Sequence, residues 1–384
     1  MADGLRLTFE DRPEVETELR SLLAVENDCC AGADWTVERA GGTLVMAARS
    51  QGDRVPYPAW DVHYVGVEAP TFADVLEART RIAPHLPRTP LREYPPLSRL
   101  VGATVFVKHE NHLPTGAFKV RGGVNLVAQL NPDERESGVI ASSTGNHGQS
   151  IAFGARIFGV EATIYVPEGA NPVKVAAMRD LGAEVIPHGV DFDEAREDAE
   201  RLAAETGFRY IHSGNEPHLI AGVATATLEL LEDEPRIDTI IVPVGGGSGA
   251  AGASIVAKQL DPSIRVVGVQ SDAAPAAFRS WRDRSLLEDE MRTFAEGLAT
   301  RVAFELPQRI MWELLDDFVL VSDDEIRAAQ RVMIESTRNL IEAAGASPLA
   351  AALRLRDELA GKRVALIASG GNASPDQLRE LLAN

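Results

Sequence analysis

From about Thr71 onward, short apolar runs alternate with longer stretches whose apolar positions recur at helical spacing. The runs ATVFVKHE (103–110), GVIASS (138–143), EATIYVP (161–167), AEVIPHG (183–189), TIIVPV (239–244), IRVVGVQ (264–270) and RVALIAS (363–369) predict strands. Between them, GAFKVRGGVNLVAQL, HGQSIAFGARIFG, NPVKVAAMRDLG and DFDEAREDAERLAAETG predict helices. Repeated strand–helix alternation builds parallel, doubly wound sheets, here one or two of them.

Residues 1–70 read differently. A helical stretch, RPEVETELRSLLAVE, precedes two strand-like pieces, DWTVERA and GTLVMAA, and the proline- and aromatic-rich loop VPYPAWDVHY. This predicts a small N-terminal α+β appendage. Its Trp60, His63 and Tyr64 are expected to pack, building a homodimer contact or covering a site.

Charge narrows the partners. A net charge of -19 leaves no basic excess to neutralise phosphates or acidic lipid, so nucleic acid and acidic membrane surfaces are excluded as partners. An anionic ligand must then be gripped locally. The uncharged run Thr239–Ala257 has roughly the length of a membrane span, but Pro243 and its clustered glycines make it a strand, a turn and a helix start. The acidic start MADGLRLTFEDRPEVE lacks the form of a secretory signal. The only cysteines, Cys29 and Cys30, are adjacent, and the expected setting is a reducing cytoplasm.

Four stretches crowd chemistry where strands end, which is where open α/β sheets bind ligands. VGGGSGAAG (244–252) follows a strand, and its successive amides at a helix start form an anion cradle. Gly247, Gly249 and Gly252 also fit G-x-G-x-x-G with Asp272 beyond, so a nicotinamide nucleotide, another phosphate ligand and tight packing all remain open. In SSTGNHGQS (142–150), helix capping by Ser143 or Thr144 would account for one hydroxyl only. The crowd of donors suits a substrate carboxylate. ASGGNAS (368–374) alone reads as a structural turn. In HLPTGAFKVRGG (112–123), Lys119 is either a solvated helix-start lysine or a desolvated amine able to form a Schiff base.

Taken in order, PTGAFKVRGG, SSTGNHGQS, VGGGSG, EGLATR (296–301), EAAGAS (342–347) and ASGGN resemble the fold-type II pyridoxal-phosphate enzymes, in their threonine/serine dehydratase and serine racemase branch. The resemblance runs from about Thr71 onward. It implies two open, mostly parallel twisted sheets flanked by helices (a tryptophan synthase β-like fold) beside the appendage. It further implies a large cofactor-binding domain at 71–140 and 216–384, and a small substrate-gripping domain at 141–215. Lys119 would bond pyridoxal 5'-phosphate, Phe118 would pack beside its ring, and Asn146 would hydrogen-bond its phenolic oxygen. Gly245, Gly246, Gly247, Ser248 and Gly249 would hold the phosphate, and Ser369 would face the ring nitrogen. Ser143, Thr144, Gly145, Asn146 and His147 would line the substrate carboxylate site.

The resemblance implies β-elimination on a 3-hydroxy amino acid such as threonine or serine, giving a 2-oxo acid and ammonia. The alternatives are an amino-acid racemase with Thr144 as a second catalytic group, and a β-replacement enzyme. Three departures stand out. Ser248 replaces the fourth glycine of the phosphate loop, and Ala117 stands where relatives often carry serine. Gln270 stands where some relatives place an acidic metal ligand, so no metal is expected there.

Overall fold

The computed structural model describes the backbone of residues 6–10, 33–40 and 43–50, and the chain over 67–190 and 192–383. It divides into two units, Met1–Val65 and Gly66–Asn384. In the first, β1 (Arg6–Glu10), β2 (Ala33–Ala40) and β3 (Thr43–Ser50) form an antiparallel sheet in the order β1-β3-β2. The helix expected over 12–26, the two cysteines and the loop bearing Trp60, His63 and Tyr64 lie outside the described residues.

The second unit holds two sheets. The larger comprises β4 (Leu91–Glu93), β5 (Thr104–His109), β10 (Thr239–Pro243), β11 (Arg265–Ser271), β12 (Asp317–Val321) and β13 (Arg363–Ala368), in the order β12-β11-β10-β13-β5-β4. All pairs are parallel except the short edge strand β4 on β5. The smaller, fully parallel sheet orders β6 (Val139–Ser142), β7 (Ala162–Val166), β8 (Glu184–Pro187) and β9 (Arg209–Tyr210) as β8-β7-β6-β9.

Two-residue alternation explains why the large sheet is apolar on both faces. Ile240, Val242, Ala365, Ile367 and Phe106 feed one core, whereas Ile241, Val364, Leu366, Val105 and Val107 feed the other. Helices cover both faces. The Lys119–Val127 helix instead packs into the core of the small sheet through Leu126 and Val127. Gly123 admits this approach, because a Cβ there would meet Ser150 Oγ at 2.3 Å. Among the described residues, no helix is long and apolar enough to cross a membrane.

The strand order matters for function. β10, β13 and β5 are parallel neighbours, so their carboxyl ends open at one edge of the sheet. The segments that follow them are the glycine loop, ASGGN and the approach to Lys119.

Candidate active site

The Lys119 segment is stitched to the segment after β13. Phe118 N donates to the Ser369 carbonyl at 2.9 Å and Gly371 N to the Gly116 carbonyl at 2.9 Å, while Ala117 bridges Gly370. Gly116 turns at φ +69, with the Asn372 carboxamide filling the space a Cβ would need. Ser369 therefore holds the lysine loop through its carbonyl and caps no helix.

Lys119 Nζ points to the cleft and donates to the Ser213 carbonyl (2.9 Å) and Ser248 Oγ (3.0 Å). No carboxylate among the described residues pairs with it. Desolvation thus goes uncompensated, and the amine is pushed down to about 8. Two residues on, the same helix is anchored very differently. Arg121 Nε and Nη2 donate to Glu110, at 2.7 and 3.0 Å, and both terminal nitrogens donate to Glu229 at 2.8 Å. Lys108 Nζ donates to Glu229 at 2.9 Å, so two cations meet two carboxylates in a dry cluster. Burial opposes the charge of Glu229, but the Arg121 hydrogen bonds hold its carboxyl below the usual range.

The glycine loop lies against the lysine. Gly247 takes φ +90, and a Cβ on Gly246 would meet Phe304 Cε2 at 2.2 Å. Ser248 then opens the Ser248–Leu260 helix, with its side chain buried. The dinucleotide reading fails here: Gly252 is pressed onto Ala224 of the Pro217–Asp233 helix, and Asp272 is exposed. Phe118 sits against the loop, 3.2 Å from where a Gly249 Cβ would stand.

The SSTGNH loop closes the arrangement from the small sheet. Gly145 N donates to Ser143 Oγ at 3.2 Å, Thr144 is exposed, and Gly145 precedes the Asn146–Phe158 helix without a side-chain cap. The capping reading of Ser143 and Thr144 is thus corrected: the first folds back on its own loop and the second is exposed, and the helix begins without a side-chain cap. Asn146 Nδ2 donates to Glu342 (2.9 Å), and its Oδ1 accepts from Asn372 (2.7 Å). His147 Nε2 donates to the Ile211 carbonyl at 3.4 Å, while its buried Nδ1 has no partner among the described residues. Burial first, then the Lys119 charge, pushes His147 down to about 3.

Contacts thus join all four stretches: Lys119 to Ser248, Phe118 to Ser369, and Asn146 to Asn372. Sequence reasoning passed over several supporting groups. Glu342 is half-buried, and its desolvation pushes its carboxyl up. His212 Nδ1 accepts from Gly214 N and Asn215 N, under the edge of Phe304. Lys174, whose amine approaches Gly145, forms an ion pair with Glu296 across the cleft. Gln270, which stands where some relatives place an acid, accepts from Phe278 N through its Oε1.

Residues 82–370 match the model of the family described as "Pyridoxal-phosphate dependent enzyme". The chain is 38% identical over 313 residues to L-threonine ammonia-lyase of Thermotoga maritima, covering 81% of this chain and 78% of that one. It is 36% identical to L-threo-3-hydroxyaspartate ammonia-lyase of Saccharomyces cerevisiae, covering 82% and 97%. The structure of maize serine racemase superposes with a TM-score of 0.78 at 31% identity, covering 82% and 98%. The residues fit the cofactor the family name implies. An anion cradle without room for side chains at Gly246 adjoins a desolvated lysine amine, and a phenyl ring flanks both.

Proposed function

The chain belongs to the pyridoxal-phosphate dependent enzymes, and from that premise we propose that it is a lyase removing water and then ammonia from a 3-hydroxy amino acid. The observation that carries this reading is the Lys119 amine, held at the glycine loop with its proton affinity lowered to about 8. Such an amine keeps roughly a tenth of its population neutral at pH 7, far more than an ordinary lysine, and that fraction serves as a base. When bound, pyridoxal phosphate supplies the electron sink that makes the substrate Cα–H acidic.

The protein's part is placement. The amides of Gly245, Gly246, Gly247, Ser248 and Gly249 would hold the phosphate. Phe118 would flank the ring, Asn146 would meet its phenolic oxygen with the second proton of Nδ2, and Ser369 would lie at its nitrogen. Ser143, Thr144, Gly145, Asn146 and His147 would grip the substrate carboxylate, fixing the Cα–H bond toward Lys119. The amine takes that proton and passes it to the β-hydroxyl, which leaves as water, and a second water hydrolyses the remaining enamine to a 2-oxo acid and ammonia. Threonine ammonia-lyase among the relatives supports this outcome.

Residues 71–140 with 216–384 would form the cofactor-holding body, and 141–215 the body that grips substrate. A cytoplasmic homodimer is the expected assembly. The test is 2-oxo acid release across threonine, serine and 3-hydroxyaspartate. Release from at least one is expected, whereas D-serine forming from L-serine faster than pyruvate would make the protein a racemase working through Thr144.

A further inference from the structure

The phosphate loop carries a serine whose hydroxyl accepts a hydrogen bond from the lysine amine. Ser248 is the first residue of its helix, and the positive φ of Gly247 before it turns the backbone. Its side chain is 1% exposed, and its Oγ lies 3.0 Å from Lys119 Nζ. The Ser213 carbonyl, from a separate loop, reaches the same nitrogen at 2.9 Å.

We propose that Ser248 is a positioning residue for Lys119: its hydroxyl and the Ser213 carbonyl form a two-point berth for the amine whenever it is not bonded to cofactor. The inference rests on the lyase reading for its timing, but its geometry concerns the lysine alone. A neutral amine has two N–H bonds and one lone pair. With both N–H bonds given to the berth, the lone pair is left pointing away from it, toward the cleft. When the substrate Cα–H bond breaks, its electron pair stays with the substrate, and the lone pair forms the third N–H bond. Both berth oxygens then accept from a cation, where hydrogen bonds are strongest. The berth therefore stabilises the charged lysine more than the neutral one and limits how far burial can lower its proton affinity. With glycine at 248, only the Ser213 carbonyl would remain to hold the amine.

The test uses the full chain in two forms. In the cofactor-free protein, reductive methylation of Lys119 followed across pH reads the amine directly. Ser248→Gly is expected to lower its midpoint from about 8 by about one unit. In the cofactor-loaded protein, Ser248→Gly should lower kcat roughly tenfold with KM within about twofold, and Ser248→Thr should restore most of it. An unchanged midpoint in Ser248→Gly overturns the proposal, as does a variant whose only loss is cofactor affinity, which would make Ser248 a phosphate ligand. If the midpoint shifts while wild-type protein releases no 2-oxo acid from any 3-hydroxy amino acid, the berth stands and the lyase reading falls.

Discussion

Lys108 is fully buried and Lys119 half-buried at the cleft, and the protein treats the two amines in opposite ways. Lys108 lies among Glu229, Glu110 and Arg121, where every charge meets its opposite. Lys119 finds only a carbonyl and a hydroxyl. Burial alone therefore does not make a lysine reactive; burial without a counter-anion does. The helix that carries Lys119 serves both ends of this contrast. Arg121 fastens it into the salt cluster, so the reactive amine projects from a fixed base.

The most severe way to break the contrast is Lys119→Ala. It should lower turnover at least about a thousandfold and abolish the visible absorbance of lysine-bound cofactor, while Lys108→Met should keep that absorbance. Arg121→Met attacks the other region. It strands the Glu110 and Glu229 carboxylates in a dry cluster, and urea unfolding should show a loss of about 3–5 kcal/mol.

Next comes acid. His147 and His212 are held near 3 by burial, while an unfolded chain would protonate them near 6.5. The unfolded state then binds more protons, so stability is present above pH 6.5 and is lost as pH falls toward 3. The loss should reach about 2 kcal/mol per ring by pH 5, and His212→Asn should flatten the dependence measured by urea unfolding. The smallest effect is expected at Glu342. Its burial favours the neutral acid, so Glu342→Gln should preserve the hydrogen bond with Asn146 and change kcat/KM by less than about threefold.

Much of this was written in the sequence. Short continuous apolar runs such as TIIVP mark the buried strands, and glycines packed after a strand mark the cradle. What escaped notice has a common cause. The Ser213 contact is made by a backbone carbonyl, which any residue carries. Glu342 becomes special only because folding removes water around it and brings Asn146 to its side. Thr144 fits a cap on local grounds, but the helix after Gly145 begins without a side-chain cap. Local pattern reports which residues can do chemistry; it does not report which distant atoms meet them.

The position of β13 has a consequence for how the protein is made. Among the described residues this strand is the last, yet it lies between β10 and β5, and no other described strand joins those two halves. A ribosome delivering the chain in order leaves a gap at the centre of the sheet until Ala368 has emerged. The loop that closes behind Phe118 is delivered later still. The nascent chain thus carries Lys119 before the segment that seats it, and the seat closes only once Gly371 has emerged.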